Sequence, residues 1–281
     1  DVYKRQIQSL LLEGLYKKYN ISQLSFGAIH DKLGDVYEDF CVTILSDPSN
    51  LHNYQHGIDD NSFEFKIFSD LIDCCHIKDI SKIKSIEATN HVPHRSTRGL
   101  SKTDVIMTVY YLDGGCQKIA ISIKQSYAPK IAFAEFDVET ICSEVGISDE
   151  RLKALMLKHQ VDKSAKYFTI EEKKELKDLL DPIKEKFVRW VITGSIEKNP
   201  HDVVYPTVLI KFKLKKPKDR YDIHIERGEL SLLAYEVTSV EKYIETILYD
   251  KNGRSRKSGF GTGLAWTYAT GSGGFKIQFK A

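Results

Sequence analysis

Residues 104–125 read DVIMTVYYL, then Asp113-Gly114-Gly115, then CQKIAISIKQ, and they constrain the fold more than any other stretch. Both arms are rich in β-branched and aromatic residues around a glycine-containing turn, a pattern that predicts an antiparallel hairpin. Alternation along the second arm puts Ile119, Ile121 and Ile123 on one face, with Ala120, Ser122 and Lys124 on the other. A turn centred on Gly114 sets Asp104 opposite Lys124 and Ile106 opposite Ser122. Directly opposed residues share a face with Cβ atoms ~5 Å apart. A carboxylate, a hydroxyl and an ammonium are therefore expected together at the open end of the hairpin. A change of register shifts the opposition without dispersing the group.

The flanking sequence alternates helical and strand-like patterns. Residues 7–19 and 31–45 carry apolar residues at three- and four-residue spacing, as amphipathic helices do, with Asp31 placed to cap the second. Residues 46–103 read as polar loops around one helix near 63–75. Beyond the hairpin, helical patterns run through 135–160, and Thr169-x-x-Glu172 forms a capping box opening a helix to about Leu180. Pro182 interrupts that pattern before a further helix to about Val191. Strand-like runs follow at 203–214 (VVYPTVLIKFKL) and 221–225 (YDIHI), then a helix at 238–248 and a Gly/Ser/Thr-rich tail. No repeat and no Pro/Gly/Ser linker divides the chain, so a single α/β domain over residues 1–281 is expected.

Charge narrows the partners. The totals are balanced, 41 Lys+Arg against 39 Asp+Glu, which excludes a histone-like polycation. The distribution is not balanced. From Lys251 to the end the cations are Lys251, Arg254, Arg256, Lys257, Lys276 and Lys280, with no acid among them. A second basic stretch runs from Lys211 to Arg220 against Asp219 alone. Such faces suit a polyanion held at one surface, and they equally suit plain solvation. No apolar run approaches the ~20 residues of a membrane span. Five cysteines, odd in number and without framework spacing, point to a reduced, cytoplasmic protein.

The hairpin cluster carries the candidate chemistry. A carboxylate at a strand end can hold Mg²⁺, a hard ion that prefers oxygen, and the Ile123 carbonyl on the adjacent strand can add a ligand. Lys124 could then orient a metal-activated water and stabilise charge on a phosphate under attack. Spacing alone does not separate this from a cross-strand Asp–Lys ion pair. Other motifs lead nowhere: Cys74-Cys75-His76 with His91 and His94 fits no common zinc spacing. Gly259, Gly261 and Gly263 make neither GxGxxG nor a P-loop. Tyr110-Tyr111 reads as hairpin packing rather than a stacking platform.

Asp104 followed by Ser122-Ile123-Lys124 resembles the PD-(D/E)xK nuclease superfamily. The longer words LYKKYNISQL, DKLGDVYEDF, SKTD, AEFDVETICSEVGISDERLKALMLKHQVDKSAKYFT and GFGTGLAWTYATGS are similar to the MspI family of type II restriction endonucleases. The likeness runs from about Leu10 to the last residue. It implies a central mixed β-sheet flanked by helices, with residues 1–9 an unmatched leader, 10–200 the catalytic core and 201–281 strands and a basic DNA-reading tail. It implies Mg²⁺-dependent cleavage of double-stranded DNA at CCGG by a monomer, with a cognate cytosine methyltransferase as genetic partner. On matched positions, the family's metal-binding aspartate falls on Asp104 and its catalytic lysine on Lys124. Glu38 matches a glutamate that reaches the metal through water. Ser122 stands where most of the superfamily has Glu or Asp, offering a neutral hydroxyl to hold a metal-bound water. Thr267, Thr270, Gln278 and Lys280 match base-reading positions, whereas Ala132 lacks the hydroxyl of a matched serine. Independently of family, Thr267 and Thr270 read as an ordered polar loop, and Lys130, Arg256 and Lys257 as phosphate clamps. Two rival readings are a DNA-binding protein impaired in cleavage, motivated by Ser122, and a structure-selective repair nuclease of the same superfamily.

Overall fold

The structure is a computed structural model describing residues 18–19, 26–77, 79–94, 101–198, 200–214, 232–269 and 276–281. The chain groups into two compact units. One comprises residues 1–129 and 202–239, the other 130–201 and 240–281, so the stretch 201–281 is divided between them.

In the first unit, helix α1 (Phe26–Ser46), α2 (Pro48–His56) and α3 (Phe63–Cys74) precede strands β1 (Ile83–Thr89), β2 (Val105–Tyr111) and β3 (Cys116–Ser126). Helix α1 begins upstream of Asp31, which therefore lies inside the helix rather than capping it. Residues 46–103, expected to hold one helix, contain α2 and β1 as well. Helix α2 is polar along most of its length and owes its start to the Asp47 side chain, which accepts from Ser49 N, and its end to Gly57 in the left-handed region.

The predicted hairpin forms, in a register two residues away from the expected one. Val105 pairs with Ile121 and Tyr110 with Cys116. The turn closes through Tyr111 N donating to Gly115 O at 2.9 Å, with Gly114 at φ +86°. Gly114 supplies the left-handed residue at the third loop position, which centres the turn on Asp113. A two-residue shift preserves the faces. Ile119, Ile121 and Ile123 enter the core with Met107 and Phe68. Ile106, Ala120 and Ser122, on the other face, are buried too.

Strand β3 pairs in parallel with β5 (Val208–Leu214), and β5 antiparallel with β6 (Leu232–Ser239). The resulting sheet, in the order β1-β2-β3-β5-β6, is mixed, as expected for this fold class. Helix α1 packs on β1, β2 and β3, with Tyr37 stacked on Phe212 at 4.3 Å between ring centroids.

The second unit holds β4 (Ala132–Phe136), α4 (Val138–Val145), α5 (Glu150–Asp162), α6 (Ile170–Leu180), α7 (Lys184–Thr193) and α8 (Val240–Leu248), followed by β7 (Ala265–Tyr268) and β8 (Ile277–Lys280). The capping box forms, Thr169 N donating to Glu172 Oε2 at 2.9 Å and Glu172 N to Thr169 Oγ1 at 3.1 Å. Residues 135 and 136, the first of the expected helical stretch, instead end a strand that starts at Ala132, and Asp137 then caps α4 by accepting from Thr140 N at 2.7 Å. Two short strands, at 265–268 and 277–280, lie within the expected tail. Strands β4, β8 and β7 make a three-stranded antiparallel sheet. Its inner face buries Phe279, against which Trp266 and Phe187 pack with ring centroids 5.1 and 5.3 Å away. Gly263 (φ +79°) brings its backbone against α8, where an added Cβ would lie 1.9 Å from Ile247 O. The glycines of this segment serve a tight turn, whose Thr262 hydroxyl donates to Gly259 O at 2.6 Å. Among the described residues, no helix is long and apolar enough to cross a membrane. The YDIHI run and Lys215 to Arg220 lie outside the described residues.

His159 is 1% exposed, ringed by Phe168, Phe260 and Trp266. Its Nδ1 has no hydrogen-bond partner among the described residues. Burial depresses its pKa to about 4 from 6.5, against a smaller opposing pull from Asp162. The unfolded chain therefore takes up a proton that the folded one refuses, so this site's stability is full above pH 6.5 and is lost as pH falls towards 4. We expect wild type to lose about 2–3 kcal/mol more than His159→Phe between pH 7 and 4. Urea denaturation at each pH measures this, and parallel curves for the two proteins would refute it.

Candidate active site

The site begins where β2 does. Asp104 N donates to Ile121 O at 2.9 Å, extending the ladder one residue and turning the Asp104 side chain towards β3. Its Oδ2 accepts from Ser122 Oγ at 3.0 Å, from Ile123 N at 2.6 Å and from Lys124 Nζ at 3.0 Å. Lys124 Nζ also donates to Ile123 O at 2.9 Å. The residues expected to converge at the hairpin end do so. The two charged side chains are each 20% exposed, sheltered yet reachable. Ser122 is 2% exposed and aims its hydroxyl at the carboxylate. Its proton is committed to Asp104, and the lone pairs of its oxygen are what it offers to a donor.

Glu38 comes from α1. Tyr37 and Cys41 of the same helix are fully buried, so the helix lies tight against its sheet and carries Glu38 at the flank of that contact. Burial, then Asp104, then Asp35 push its pKa up to about 7, while Lys124 pulls the other way. The buried Cys41 thiol is raised chiefly by desolvation, with contributions from Glu38 and Asp104. Helix and hairpin thus bring Glu38, Asp35 and Asp104 into one field with the Lys124 ammonium.

This donor set fits a hard divalent cation. One cationic group, Lys124 Nζ, already bridges the Asp104 carboxylate and the Ile123 carbonyl, both hard oxygen donors. Burial first, then the carboxylates of Asp104 and Asp35, disfavour the ionised form of Glu38, which nearby positive charge would favour. Among the described residues no group of three or more His, Cys, Asp or Glu side chains forms a metal cage. A carboxylate plus a carbonyl suits an ion that keeps several of its waters, as Mg²⁺ does.

The expected DNA-reading residues fall in the second unit. Thr267 is in strand β7, not a loop, and pairs with Gln278 of β8. Its hydroxyl donates to Gln278 O at 3.2 Å and to Oε1 at 3.3 Å. Lys280 pairs with Ala265 and Ala132. Alternation sends Thr267, Gln278 and Lys280 to the face opposite Trp266 and Phe279. Thr270 lies outside the described residues. Lys130 and Lys257 are exposed, and Arg256 Nε donates to Thr246 O at 2.9 Å. Glu135, which sequence reasoning missed, pairs with Gln278 and accepts a hydrogen bond from its Nε2. Reading Glu135 and Phe136 as the end of a strand rather than the start of a helix would have placed Glu135 beside Gln278. The tyrosine pair packs within its hairpin neighbourhood, Tyr110 donating to Glu87 at 3.2 Å and Tyr111 to Gln117 at 2.7 Å.

Comparison with known proteins places this geometry in context. The sequence model of the restriction endonuclease MspI family matches residues 17–281. The type II restriction enzyme MspI of Moraxella sp. is 35% identical over 276 residues, covering 96% of this chain and 98% of that protein. The type II restriction enzyme BsuFI of Bacillus subtilis is 25% identical over 93% of this chain, which spans 61% of that longer enzyme. A crystal structure of MspI in complex with its cognate DNA superposes with a TM-score of 0.79 at 34% identity, covering 96% of this chain and 98% of that one.

Removing the Ser122 hydroxyl takes one of three donors from a sheltered carboxylate. We expect Ser122→Ala to cost about 1–2 kcal/mol in metal-free buffer at pH 7. Urea denaturation of both proteins checks it, and a cost indistinguishable from zero would mean the hydroxyl does not steady Asp104.

Proposed function

Because the chain belongs to the restriction endonuclease MspI family, we propose that it hydrolyses phosphodiesters of double-stranded DNA at CCGG with Mg²⁺ as cofactor. The observation that carries this reading is the meeting of the Asp104 carboxylate, the Ile123 carbonyl and the Lys124 ammonium within 3.0 Å at one strand end. Asp104 and the Ile123 carbonyl would hold the ion. When bound, Mg²⁺ supplies Lewis-acid activation of water and neutralises charge on the scissile phosphate.

The remaining roles belong to the chain's own groups. Lys124 Nζ orients the attacking water and donates to the phosphate oxygen on which charge develops. Ser122 keeps Asp104 turned towards β3, through the hydrogen bond of 3.0 Å. Glu38, with a pKa near 7, is poised to accept a proton or to hold water at the edge of the site. In-line displacement of the 3′ oxygen leaves a 5′-phosphate. Lys130 and Lys257 grip backbone phosphates, and Thr267, Thr270, Gln278 and Lys280 read base edges, Lys280 donating to guanine O6 and N7. The same reading carries a monomer on its duplex, a cytoplasmic location and a neighbouring gene for a matching cytosine methyltransferase.

A second reading, a sequence-specific DNA-binding protein impaired in cleavage, draws on Ser122, whose buried neutral hydroxyl brings no charge where the superfamily has a carboxylate. Digestion of a sequenced, unmethylated plasmid with purified protein, followed by mapping of the ends, separates the two. We expect discrete Mg²⁺-dependent fragments ending at CCGG, and none with EDTA. Lys124→Ala should lower the cleavage rate by about 10²-fold or more, as loss of an electrostatic stabiliser does. It should leave affinity for the duplex within about tenfold, since one cation is lost among several. If wild type only retards the duplex while Ser122→Asn cuts it, the impaired reading holds. Cutting confined to junctions or mismatches would sink both in favour of a repair nuclease.

A further inference from the structure

The outer face of the β4-β8-β7 sheet carries more than the residues that resemblance assigns to it. Strand alternation and register put Thr267, Gln278 and Glu135 side by side across three strands. Next along the strands, Ala265, Lys280 and Ala132 form a second row. A register irregularity between Ala132 and Ala134 makes this possible. Phe133 and Ala134 both turn inwards, at 5% exposure each, and Glu135 emerges exposed beside Gln278.

We propose that Glu135 is a specificity-determining residue that accepts a hydrogen bond from a cytosine N4 amino group in the major groove. The proposal rests on the reading that this face meets base edges. A carboxylate is an acceptor only, and in the major groove the base-edge donors are the cytosine N4 and adenine N6 amino groups. Against phosphates it repels. A carboxylate in the midst of a DNA-reading face therefore weakens binding to any duplex unless a base amino group answers it.

The neighbours decide which amino group that is. Gln278 is held at both ends of its amide: Nε2 donates to Glu135, and Oε1 accepts from Thr267 Oγ1 at 3.3 Å. The amide orientation follows from partners that differ in kind, since a carboxylate cannot donate. One N–H of Gln278 Nε2 remains for a base, directly beside the free lone pairs of Glu135. An adjacent donor and acceptor complement guanine O6 and cytosine N4, which are themselves neighbours bonded to each other across a G·C pair. Lys280, one row away, donates to a second guanine edge. Ala132, where resemblance expects a hydroxyl, adds none, and Glu135 supplies a polar group on the same strand.

Charge and recognition predict opposite signs, which makes the test decisive. Fluorescence anisotropy, with Ca²⁺ in place of Mg²⁺ so that the duplex stays intact, would compare CCGG, each single G·C→A·T variant and a scrambled duplex. We expect Glu135→Ala to weaken binding to CCGG about tenfold and to flatten discrimination at one base pair of the site. Binding to the scrambled duplex should hold or strengthen, because a repelling charge is gone. Glu135→Gln, which keeps an acceptor oxygen, should retain part of the discrimination. Uniformly stronger binding of both variants to every duplex would overturn the proposal, leaving Glu135 a mere repelling charge. If Gln278→Ala and Lys280→Ala lose discrimination while the Glu135 variants keep it, the reading face stands and Glu135 is no part of it. If none of the four changes discrimination, the face is not a reader, and this proposal falls with that reading. A misfolded variant is recognised by loss of binding to all duplexes and a lowered melting temperature.

Discussion

One carboxylate oxygen organises the candidate active site of this protein. Asp104 Oδ2 takes hydrogen bonds from a hydroxyl, a backbone amide and an ammonium, all from three consecutive residues of the neighbouring strand. Consecutive residues of a strand point to opposite faces, so a side chain reaches two of them plus the intervening backbone only from the strand's end, where the ladder stops. The position of Asp104 one residue before β2 is therefore the constraint on which the cluster depends. It explains why a main-chain carbonyl joins the cluster: Ile123 turns its side chain into the core and offers its backbone oxygen to Lys124 Nζ. Low solvent exposure around such a hub makes each missing partner costly, which holds the group to a single geometry.

Much of this was readable from the chain. Alternating apolar residues around a glycine turn announced the hairpin, and the grouping of Asp104, Ser122 and Lys124 survived a two-residue error in register because faces repeat with period two. The error itself arose at Gly114. Three consecutive turn-forming residues do not reveal which of them takes the left-handed conformation, and only that choice sets the centre of the turn. The capping box at Thr169 was equally plain, since both partners of the reciprocal bond are written three residues apart.

Other parts were hidden for physical reasons. Strand β1 and helix α2 lie in polar sequence whose structure comes from caps and tertiary contact rather than periodicity. Strands β4, β7 and β8 have five, four and four residues, too short for alternation to register, and β4 is further disguised by its irregularity. Glu135 escaped notice on that account. Its neighbours Phe133 and Ala134 both face inwards, which mimics the spacing of a helix. Asp31 failed as a cap because α1 had already begun five residues earlier.

The small sheet separates two kinds of work by parity. Inward residues such as Trp266 and Phe279 hold the aromatic packing, while outward residues at 135, 267, 278 and 280 contribute little to it. A lineage can thus exchange the outward set while the inward set stays constant, and, with the outward set reading bases as proposed, drift from one target sequence to another need not pass through an unstable intermediate. Divergent enzymes built on this scaffold would then differ most at alternate positions of three short strands, a two-residue rhythm of variability imprinted by the pleat itself.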